Sequence, residues 1–240
     1  MARLASLNIE RSRHLDRVIP FLRDLRPDVV CLQELVQRDI AMIQSGAGLS
    51  HVHYVQMAVH PVDGQAFGVA ILAREPIEAA DSLVYHGAGD GTQMFDRSTD
   101  ETKVATCRYV VARARLGGAG TGVTVATTHF PWTPDGEPRA FQLEAAARLA
   151  GMLTGPVVLT GDFNAPRGGP VFARLAQVWR DCIPADVKTS IDPELHRAGP
   201  LQLMVDGLFV TPSYCADDVR LHTGLSDHQG ITAEIARRRE

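Results

Sequence analysis

The chain has 240 residues, a mass of 26.0 kDa and a formal net charge of −4 at pH 7, from 24 basic and 28 acidic side chains. This balance argues against a protein that coats duplex nucleic acid with a basic face, although it is compatible with an enzyme that contacts a few phosphates. With 45% hydrophobic and 22% charged residues, the composition is that of a globular protein and excludes disordered and fibrous folds.

Membrane, secretion and disulfide signals are missing from the sequence. No uncharged apolar run approaches the ~20 residues needed to cross a bilayer, and the first residues lack the apolar segment of a secretory signal. The four cysteines are dispersed without a CxxC pair, which favours reduced thiols; they are Cys31, Cys107, Cys182 and Cys215. We therefore expect a soluble, cytoplasmic, monomeric protein without stable membrane insertion or a protein partner.

Short apolar segments predict strands in the first half of the chain, at residues 4–9, 29–32, 51–57, 67–73 and 77–85. Between the first two strands, apolar side chains recur at helical spacing from Leu15 to Leu25, after Ser12 as a helix cap. Pro20 costs roughly 3 kcal/mol in a helix interior, so this helix is expected to start late or to kink. Residues 37–47 are predicted as a second helix, and the polar segment 87–102 as a long exposed loop.

The second half continues the alternation, with strands predicted at residues 107–116, 123–129, 157–160, 203–210, 216–221 and 229–235. A helix is predicted after Pro138, which suits a first helical turn, because Phe141, Ala145, Leu149 and Leu153 repeat every four residues. Without a repeat or a separating linker, residues 1–240 are interpreted as a single α/β domain with at least one substantial sheet.

Several apolar strands are flanked by polar residues that a plain loop does not require. Most of them are carboxylates and imidazoles next to strand ends: Glu34, His129, Asp162, Asn164, Asp227 and His228. Asp206 differs, because it is predicted in the middle of an apolar strand, where a carboxylate needs a partner. Asp162 and Asn164 are two positions apart, so both side chains project to the same side of an extended segment.

Carboxylates that converge repel one another, and a divalent cation relieves that cost. Oxygen ligands such as Glu34, Asp162 and Asp227 favour a hard ion, Mg²⁺ or Mn²⁺, over zinc. Such an ion holds phosphate oxygens and stabilises charge in an in-line displacement. A histidine held by an aspartate is the usual companion in this chemistry, since the carboxylate fixes the imidazole tautomer.

The order of these motifs resembles the endonuclease/exonuclease/phosphatase superfamily, which includes pancreatic-type DNases, abasic-site endonucleases, tyrosyl-DNA phosphodiesterases, inositol-polyphosphate phosphatases and neutral sphingomyelinases. The resemblance extends from residue 6 to residue 231 and rests on six motifs in order: Asn8, Leu32-Gln33-Glu34, Thr128-His129, Gly161-Asp162-Phe163-Asn164, Asp206 and Ser226-Asp227-His228. No single motif carries the assignment, because each alone has an ordinary turn, cap or loop explanation. The implied fold is a four-layer α/β/β/α sandwich of two packed, mainly antiparallel or mixed β-sheets flanked by helices.

The resemblance also implies a metal site. Glu34 would ligate Mg²⁺, with Mn²⁺ as a substitute, and both Asn8 and Asp227 would lie close to the metal or its water shell.

The remaining motif residues receive catalytic roles by the same resemblance. Asp162 would orient or deprotonate the attacking water, and Asn164 would hold a phosphate oxygen. His228 would contact the scissile phosphate as an acid/base or an electrostatic stabiliser, with Asp206 orienting its ring. His129 would assist departure of the leaving group. Asp162 and His228 both stay open as the general base.

Four further residues are candidates for substrate binding, each with a structural alternative. Arg139 and Gln142, three apart on the predicted helix, resemble an Arg-x-x-Gln pair of the superfamily; Arg139 would steady the active-site loop, meet phosphate or lie on a solvated face. Lys103 and Arg108 would bind phosphate or lie at a strand edge. Trp132 would stack on a base or pack under the loop.

The sequence thus predicts a Mg²⁺-dependent phosphodiester hydrolase with nucleic acid, DNA or RNA, as the favoured substrate. The alternative is a phosphoesterase for a lipid, an inositol phosphate or another small molecule, and a binding module without catalysis is the third reading. Residues 87–102 and 133–137 are the candidate selectivity elements.

Overall fold

The computed structural model describes residues 1–118, 122–133 and 137–238. Twelve strands follow in chain order within these residues: β1 (Ala2–Asn8), β2 (Val29–Val36), β3 (His51–Val59), β4 (Ala66–Ala73), β5 (Ile77–His86), β6 (Tyr109–Leu116), β7 (Thr124–His129), β8 (Val158–Asp162), β9 (Arg180–Asp181), β10 (Asp206–Val210), β11 (Tyr214–His222) and β12 (Gly230–Arg237). The helices are α1 (Leu15–Leu25), α2 (Ile40–Ala47), α3 (Asp100–Thr106), α4 (Ala140–Met152) and α5 (Pro170–Leu175), with a 3₁₀ turn at Gln37–Asp39.

The strands form two six-stranded sheets, ordered β11-β12-β1-β2-β4-β3 and β5-β6-β7-β8-β10-β9. In each sheet the central pair is parallel, β1 with β2 and β7 with β8, and the other named pairs are antiparallel. The carboxyl ends of each parallel pair lie side by side, which places Asn8 beside Gln33 and His129 beside Asp162. These two pairs of strand ends position the candidate site.

Side-chain alternation along the central strands shows how the layers pack. In β1, Leu4 faces a core shared by both sheets, whereas Leu7 faces a second core with α1 and α2. Helices α4 and α5 cover the other sheet, with Leu149 and Phe172 buried against it. Because both faces of the central strands are largely buried, apolar residues occupy successive positions there, as at residues 29–32 of β2. The predicted four-layer α/β/β/α sandwich is confirmed.

Helix α1 begins at Leu15, before Pro20, so the expected late start is wrong. Its buried residues are Val18 and Leu22, whose contacts with the second core offset the backbone hydrogen bond that Pro20 cannot donate. The helix ends at Arg26, which adopts the left-handed conformation with φ 53° and donates its backbone N–H to Leu22.

The exposed loop predicted at residues 87–102 is partly wrong. Helix α3 begins at Asp100, because Thr99 and Thr102 form a reciprocal capping box at its N-terminus. Val59 of β3 also exchanges backbone hydrogen bonds with this segment, donating to the Gln93 carbonyl over 2.8 Å and accepting from Phe95 over 2.7 Å. The segment is therefore fastened to the edge of the first sheet.

Other boundaries differ from the prediction by local causes. Strand β6 begins at Tyr109 rather than at residue 107, since Cys107 closes α3. Asp206 is the first residue of β10 and does not lie in mid-strand. The predicted helix over 37–47 divides into the 3₁₀ turn and α2. Helix α5 and strand β9 were not predicted, and residues 134–136 of the candidate selectivity segment 133–137 lie outside the described residues.

All four cysteines are free thiols. Within the described ranges, no helix combines the length and the apolar character needed to cross a membrane.

Gly161, immediately before Asp162, has a φ of 153° and leaves no room for a side chain against β7. A Cβ atom at this position would overlap the Thr128 carbonyl oxygen of the neighbouring strand. We expect Gly161→Ala to lower the free energy of unfolding by about 1–3 kcal/mol, because the two strands must separate. Urea denaturation measures this change. The matched control is Gly151→Ala on α4, where nothing lies within 4 Å of the added methyl group; a similar loss in both variants would contradict the explanation.

His86, the last residue of β5, is a buried imidazole outside the candidate site. Its ring stacks on Phe141 at 6.1 Å, and neither ring nitrogen has a hydrogen-bond partner among the described residues. Burial lowers the pKa of His86; Glu144 opposes this shift and Arg148 adds to it. The unfolded chain therefore binds the proton more readily than the folded protein.

Since the folded-state pKa of His86 is depressed, its contribution to stability is present above pH ~6.5 and is lost as the pH falls through the folded value. We expect His86 to lower the unfolding free energy as the pH falls from 7 to 5, so His86→Phe, which keeps the stacking on Phe141, should gain stability relative to the wild type at pH 5. Urea titrations across this range measure the slope of stability with pH in both proteins. Parallel slopes in the two proteins would contradict the assignment.

Candidate active site

Asn8, at the carboxyl end of β1, connects the two sheets. Its amide Nδ2 donates to Oδ2 of Asp162 over 2.9 Å and lies 3.5 Å from Oε1 of Glu34. Asn8 and Asp162 are 2% and 1% exposed, so this contact is shielded from solvent. The predicted neighbourhood of these residues, which are separated by 154 positions, is therefore present in the fold.

Glu34 owes its position to an irregularity in β2. The pairing of β2 with β4 shifts between Leu32 and Leu35, and Glu34 adopts a left-handed φ of 57° at this bulge. A bulge redirects one side chain out of the regular alternation. The Glu34 carboxylate consequently reaches the site, 3.8 Å from Nε2 of His129, and remains partly accessible to solvent. The prediction ended this strand in Gln33-Glu34, but β2 continues to Val36.

Asp162 and Asn164 form a turn at the end of β8. Oδ1 of Asp162 accepts a hydrogen bond from the Asn164 backbone N–H over 2.8 Å, and Asn164 has a left-handed φ of 46°. The Asn164 amide donates to the Phe130 carbonyl oxygen over 2.9 Å. Nε2 of His129 lies 3.5 Å from Oδ2 of Asp162. The turn thus fixes the Asp162 carboxylate between the two sheets.

His228 and Asp206 form a buried pair on the opposite side of Asp162. Nδ1 of His228 lies 2.8 Å from Oδ2 of Asp206, and its Nε2 lies 3.7 Å from Oδ2 of Asp162. Burial alone favours the neutral ring, but Asp206 and then Asp162 outweigh burial and raise the pKa of His228 well above 6.5. Two carboxylates facing one imidazole place the proton on the ring, which leaves Nε2–H directed toward Asp162.

Asp227 adds a further carboxyl group beside this pair. Burial is the main cause that raises its pKa to about 6; His228 opposes the shift, whereas Glu10 and Glu34 add to it. Glu34 and Asp227 therefore lie close enough to repel each other. A hard divalent cation fits such oxygen donors, because it removes the repulsion and accepts carboxylate and amide oxygens as ligands.

A second group of ligand atoms lies deeper in the site. One ligand atom from each of Asp162, Asp206 and His228 lies within 4.8 Å of the others, so this buried group could hold a metal ion. In this arrangement Nδ1 of His228 is already engaged by Asp206. The oxygen donors of Glu34, Asn8 and Asp227 are the better match to Mg²⁺, which prefers oxygen ligands.

The four residues predicted to bind substrate lie in the surrounding loops. Lys103 is buried and donates to Asp100 over 2.7 Å and to the Trp132 carbonyl over 3.3 Å. Its ammonium group also lies 5.2 Å from the centre of the Trp132 ring, which is half-buried. Arg108 donates through Nε to the Gln56 carbonyl over 2.7 Å. Arg139 lies 3.7 Å from Asp100. Their binding of substrate stays a prediction.

Arg139 and Gln142 do not share a helix face as predicted, because Arg139 is the extended N-cap of α4. Gln142 is the residue that supports the site: its Nε2 donates to the carbonyls of Pro131 and Asn164, over 2.8 and 3.2 Å. The Arg-x-x-Gln spacing drew attention to this pair but did not predict that Gln142 supports the loop.

Ser190 is a second supporting residue that the sequence analysis missed. Its buried hydroxyl oxygen accepts backbone N–H groups of Val205 and Asp206, over 3.0 and 3.1 Å. It thereby fixes the start of β10, where Asp206 meets His228. No motif in the sequence marks Ser190.

Comparisons with known proteins agree with this fold. The family model described as "Endonuclease/Exonuclease/phosphatase family" matches residues 5–228. A search of curated proteins found no match. An endonuclease/exonuclease/phosphatase structure from Beutenbergia cavernae has a TM-score of 0.78 at 16% identity, with 98% of this chain and 71% of that chain covered.

Two further solved structures share the fold. The human Nocturnin catalytic domain with a bound sulfate anion has a TM-score of 0.73 at 14% identity, covering 99% of this chain and 94% of that one. A mannosyl-6-phosphatase from Bacteroides thetaiotaomicron has a TM-score of 0.64 at 17% identity, covering 98% and 100%. Since the family model spans nearly the whole sequence, the chain belongs to the endonuclease/exonuclease/phosphatase family of hydrolytic phosphoesterases.

Proposed function

We propose that this protein is a Mg²⁺-dependent hydrolase of phosphodiester bonds, with Mn²⁺ as a substitute metal and a single nucleic-acid strand, DNA or RNA, as the favoured substrate class. The observation that carries the proposal is the surroundings of one carboxylate. Oδ2 of Asp162 lies within 3.7 Å of a nitrogen of Asn8, His129 and His228, three residues from different elements. Such convergence at buried titratable groups is typical of a catalytic site.

Glu34, Asn8 and Asp227 would hold the metal. When bound, Mg²⁺ neutralises phosphate oxygens and so favours an in-line displacement. Asp162 is the acceptor for the proton of the attacking water, because Asn8 and the Asn164 backbone each donate to it and hold its carboxylate in place. This assignment selects Asp162 over His228 as the general base.

His228, oriented by Asp206, places Nε2 3.7 Å from Oδ2 of Asp162 and would stabilise the negative charge on the phosphate. His129 lies on the other side of Asp162 and assists departure of the leaving alkoxide. Asn164 uses one amide hydrogen on the Phe130 carbonyl, and its second amide hydrogen serves the phosphate oxygen.

A phosphoesterase for a lipid, an inositol phosphate or another small phosphoester is the second candidate. The net charge of −4 supports it, since a protein that binds long duplexes carries a basic surface. The solved mannosyl-6-phosphatase also shares the fold over 98% of this chain. A binding module without catalysis is disfavoured, because Asp162, Asn164, Asp227 and His228 are all present.

The test is a substrate panel assayed with Mg²⁺, with Mn²⁺ and with EDTA. It contains bis-p-nitrophenyl phosphate, single-stranded and abasic DNA, 5′-tyrosyl DNA, RNA, sphingomyelin and inositol phosphates. We expect cleavage of bis-p-nitrophenyl phosphate and of single strands with either metal and none with EDTA. Turnover confined to inositol phosphates or sphingomyelin would select the second candidate, and no turnover of any phosphoester would overturn both.

A further inference from the structure

A positively charged rim borders the candidate active site on the side of β3. We define it by Arg11, His60, Arg97 and Trp132. Nη1 of Arg11 lies 2.7 Å from Nε2 and 3.1 Å from Nδ1 of His60. The guanidinium of Arg97 lies 5.9 Å from the centre of the Trp132 ring. None of the catalytic roles described above uses Arg11, His60 or Arg97.

The rim adjoins the catalytic residues at both ends. Arg11 follows Asn8 by three positions, and Trp132 follows His129 by three, so each Cα lies within about 11 Å of the corresponding site residue. His60 is in contact with Arg11 and lies within electrostatic reach of Arg97, since both arginines add to the burial that lowers its pKa. The rim thus borders the site from the end of β1 to the end of β7.

The scaffold holds the rim in place. Arg11 is the middle of three consecutive non-glycine residues with left-handed φ, at 43°, 54° and 60° for Glu10, Arg11 and Ser12. Such conformations are costly and persist where surrounding contacts enforce them. Here the Ser12 hydroxyl accepts the Val36 backbone N–H over 3.1 Å. On the other side, the pairing of residues 93–95 with Val59 fixes the segment that leads to Arg97.

The two guanidinium groups keep their charge available. Among the described residues, neither Arg11 nor Arg97 forms an ion pair with a carboxylate; Asp63 lies 3.3 Å from Nδ1 of His60 and interacts with Arg11 at longer range. Lys103, in contrast, is buried and paired with Asp100, so it supports Trp132 from within. Arg97 is exposed and Arg11 is half-buried, and within the part of the chain that the structure describes neither is paired with an acid. Guanidinium groups in this state beside a phosphoester site are suited to bind a second phosphate group.

We propose that Arg11 and Arg97 bind a second phosphate of the substrate, adjacent to the phosphate that is hydrolysed, with His60 in contact with Arg11 and Trp132 in contact with Arg97. This proposal deepens the function proposed above and rests on it for the identity of the neighbouring site. A nucleic-acid strand supplies such a phosphate in its next nucleotide, and a polyphosphorylated small molecule supplies it on the same ring.

The first experiment measures binding without turnover. A fluorescein-labelled phosphorothioate oligothymidylate is titrated with the full chain in Mg²⁺, and the Kd is obtained from fluorescence anisotropy. We expect the double variant Arg11→Gln/Arg97→Gln to raise the Kd about ten- to hundredfold, with a smaller effect at high salt. The control is Arg115→Gln on β6. Arg115 is exposed, pairs with Glu78 and lies beside Thr124, at the end of β7 opposite to His129. Equal Kd values for the double variant and the wild type would overturn the proposal.

Two additional arms separate the possible sources and the possible failures. The labelled oligonucleotide is displaced with unlabelled oligothymidylate and, separately, with inositol trisphosphate. The competitor that displaces it at the lower concentration shows whether the second phosphate belongs to a strand or to a small ring. Hydrolysis of bis-p-nitrophenyl phosphate, which has a single phosphorus atom, tests the neighbouring site alone. Absence of that hydrolysis overturns the proposed function, whereas an unchanged Kd in the double variant overturns only the rim.

Discussion

Asp162→Asn is expected to lower kcat/KM for bis-p-nitrophenyl phosphate about a thousandfold while leaving the fold intact. The amide retains the shape of the carboxylate and still accepts a hydrogen bond from the Asn164 backbone, but it cannot take a proton from water. In the wild-type protein the Asn8 amide donates to Oδ2 of Asp162 over 2.9 Å. In the variant an NH₂ group takes the place of this acceptor oxygen. Steady-state kinetics at saturating Mg²⁺ measure the loss, and urea denaturation checks that the variant is folded.

The control for this variant is Asp24→Asn at the end of α1, where the carboxylate is 76% exposed and pairs only with the adjacent Arg23 among the described residues. It makes the same chemical change far from the site, and we expect wild-type kinetics. If Asp162→Asn retained more than a tenth of the activity, the proton would be accepted elsewhere, and His228 would regain the role of general base.

Glu34→Gln is expected to raise the Mg²⁺ concentration needed for half-maximal activity by at least about tenfold, because a neutral amide replaces a charged ligand of a hard cation. Protein stripped with EDTA should be inactive, and Mg²⁺ should restore activity to the wild-type chain at a lower concentration than to the variant. Electron paramagnetic resonance of Mn²⁺ gives the metal affinity directly, without reliance on turnover.

Glu144→Gln serves as the comparison, since Glu144 is an exposed carboxylate paired with Arg148 on α4. It removes the same charge from the protein and should leave both the Mn²⁺ affinity and the Mg²⁺ requirement unchanged. Identical metal dependence in Glu34→Gln and the wild type would show that the metal is held elsewhere, with the buried group of Asp162, Asp206 and His228 as the next place to examine.

Local signals in the sequence predicted a mixed α/β domain with strands along its whole length, whereas the four-layer sandwich and the roles of the motif residues were implied by the resemblance to the superfamily. Apolar segments of strand length mark the buried strands, and polar residues at their ends are costly unless they serve a purpose. In contrast, the bulge that turns Glu34 into the site arises from the pairing of β2 with β4, a contact between segments more than 30 positions apart. Nothing in the residues around Glu34 specifies that register shift.

The same limit applies to the supporting residues. Ser190 fixes Asp206 through backbone N–H groups that are 15 and 16 positions away. Arg97 lies in a segment that was predicted as an exposed loop, and its position depends on hydrogen bonds to Val59 in another element. Such residues are recognisable only once the sheets are assembled, because their partners are distant in the chain.

Hydrolysis of bis-p-nitrophenyl phosphate in water enriched with ¹⁸O tests most directly whether this site activates water against phosphorus. We predict one ¹⁸O atom in the p-nitrophenyl phosphate released per turnover with Mg²⁺, unlabelled p-nitrophenol, and about a thousandfold less labelled product from Asp162→Asn in the same time. Label in the p-nitrophenol, or equal labelled product from the variant and the wild type, would contradict the account.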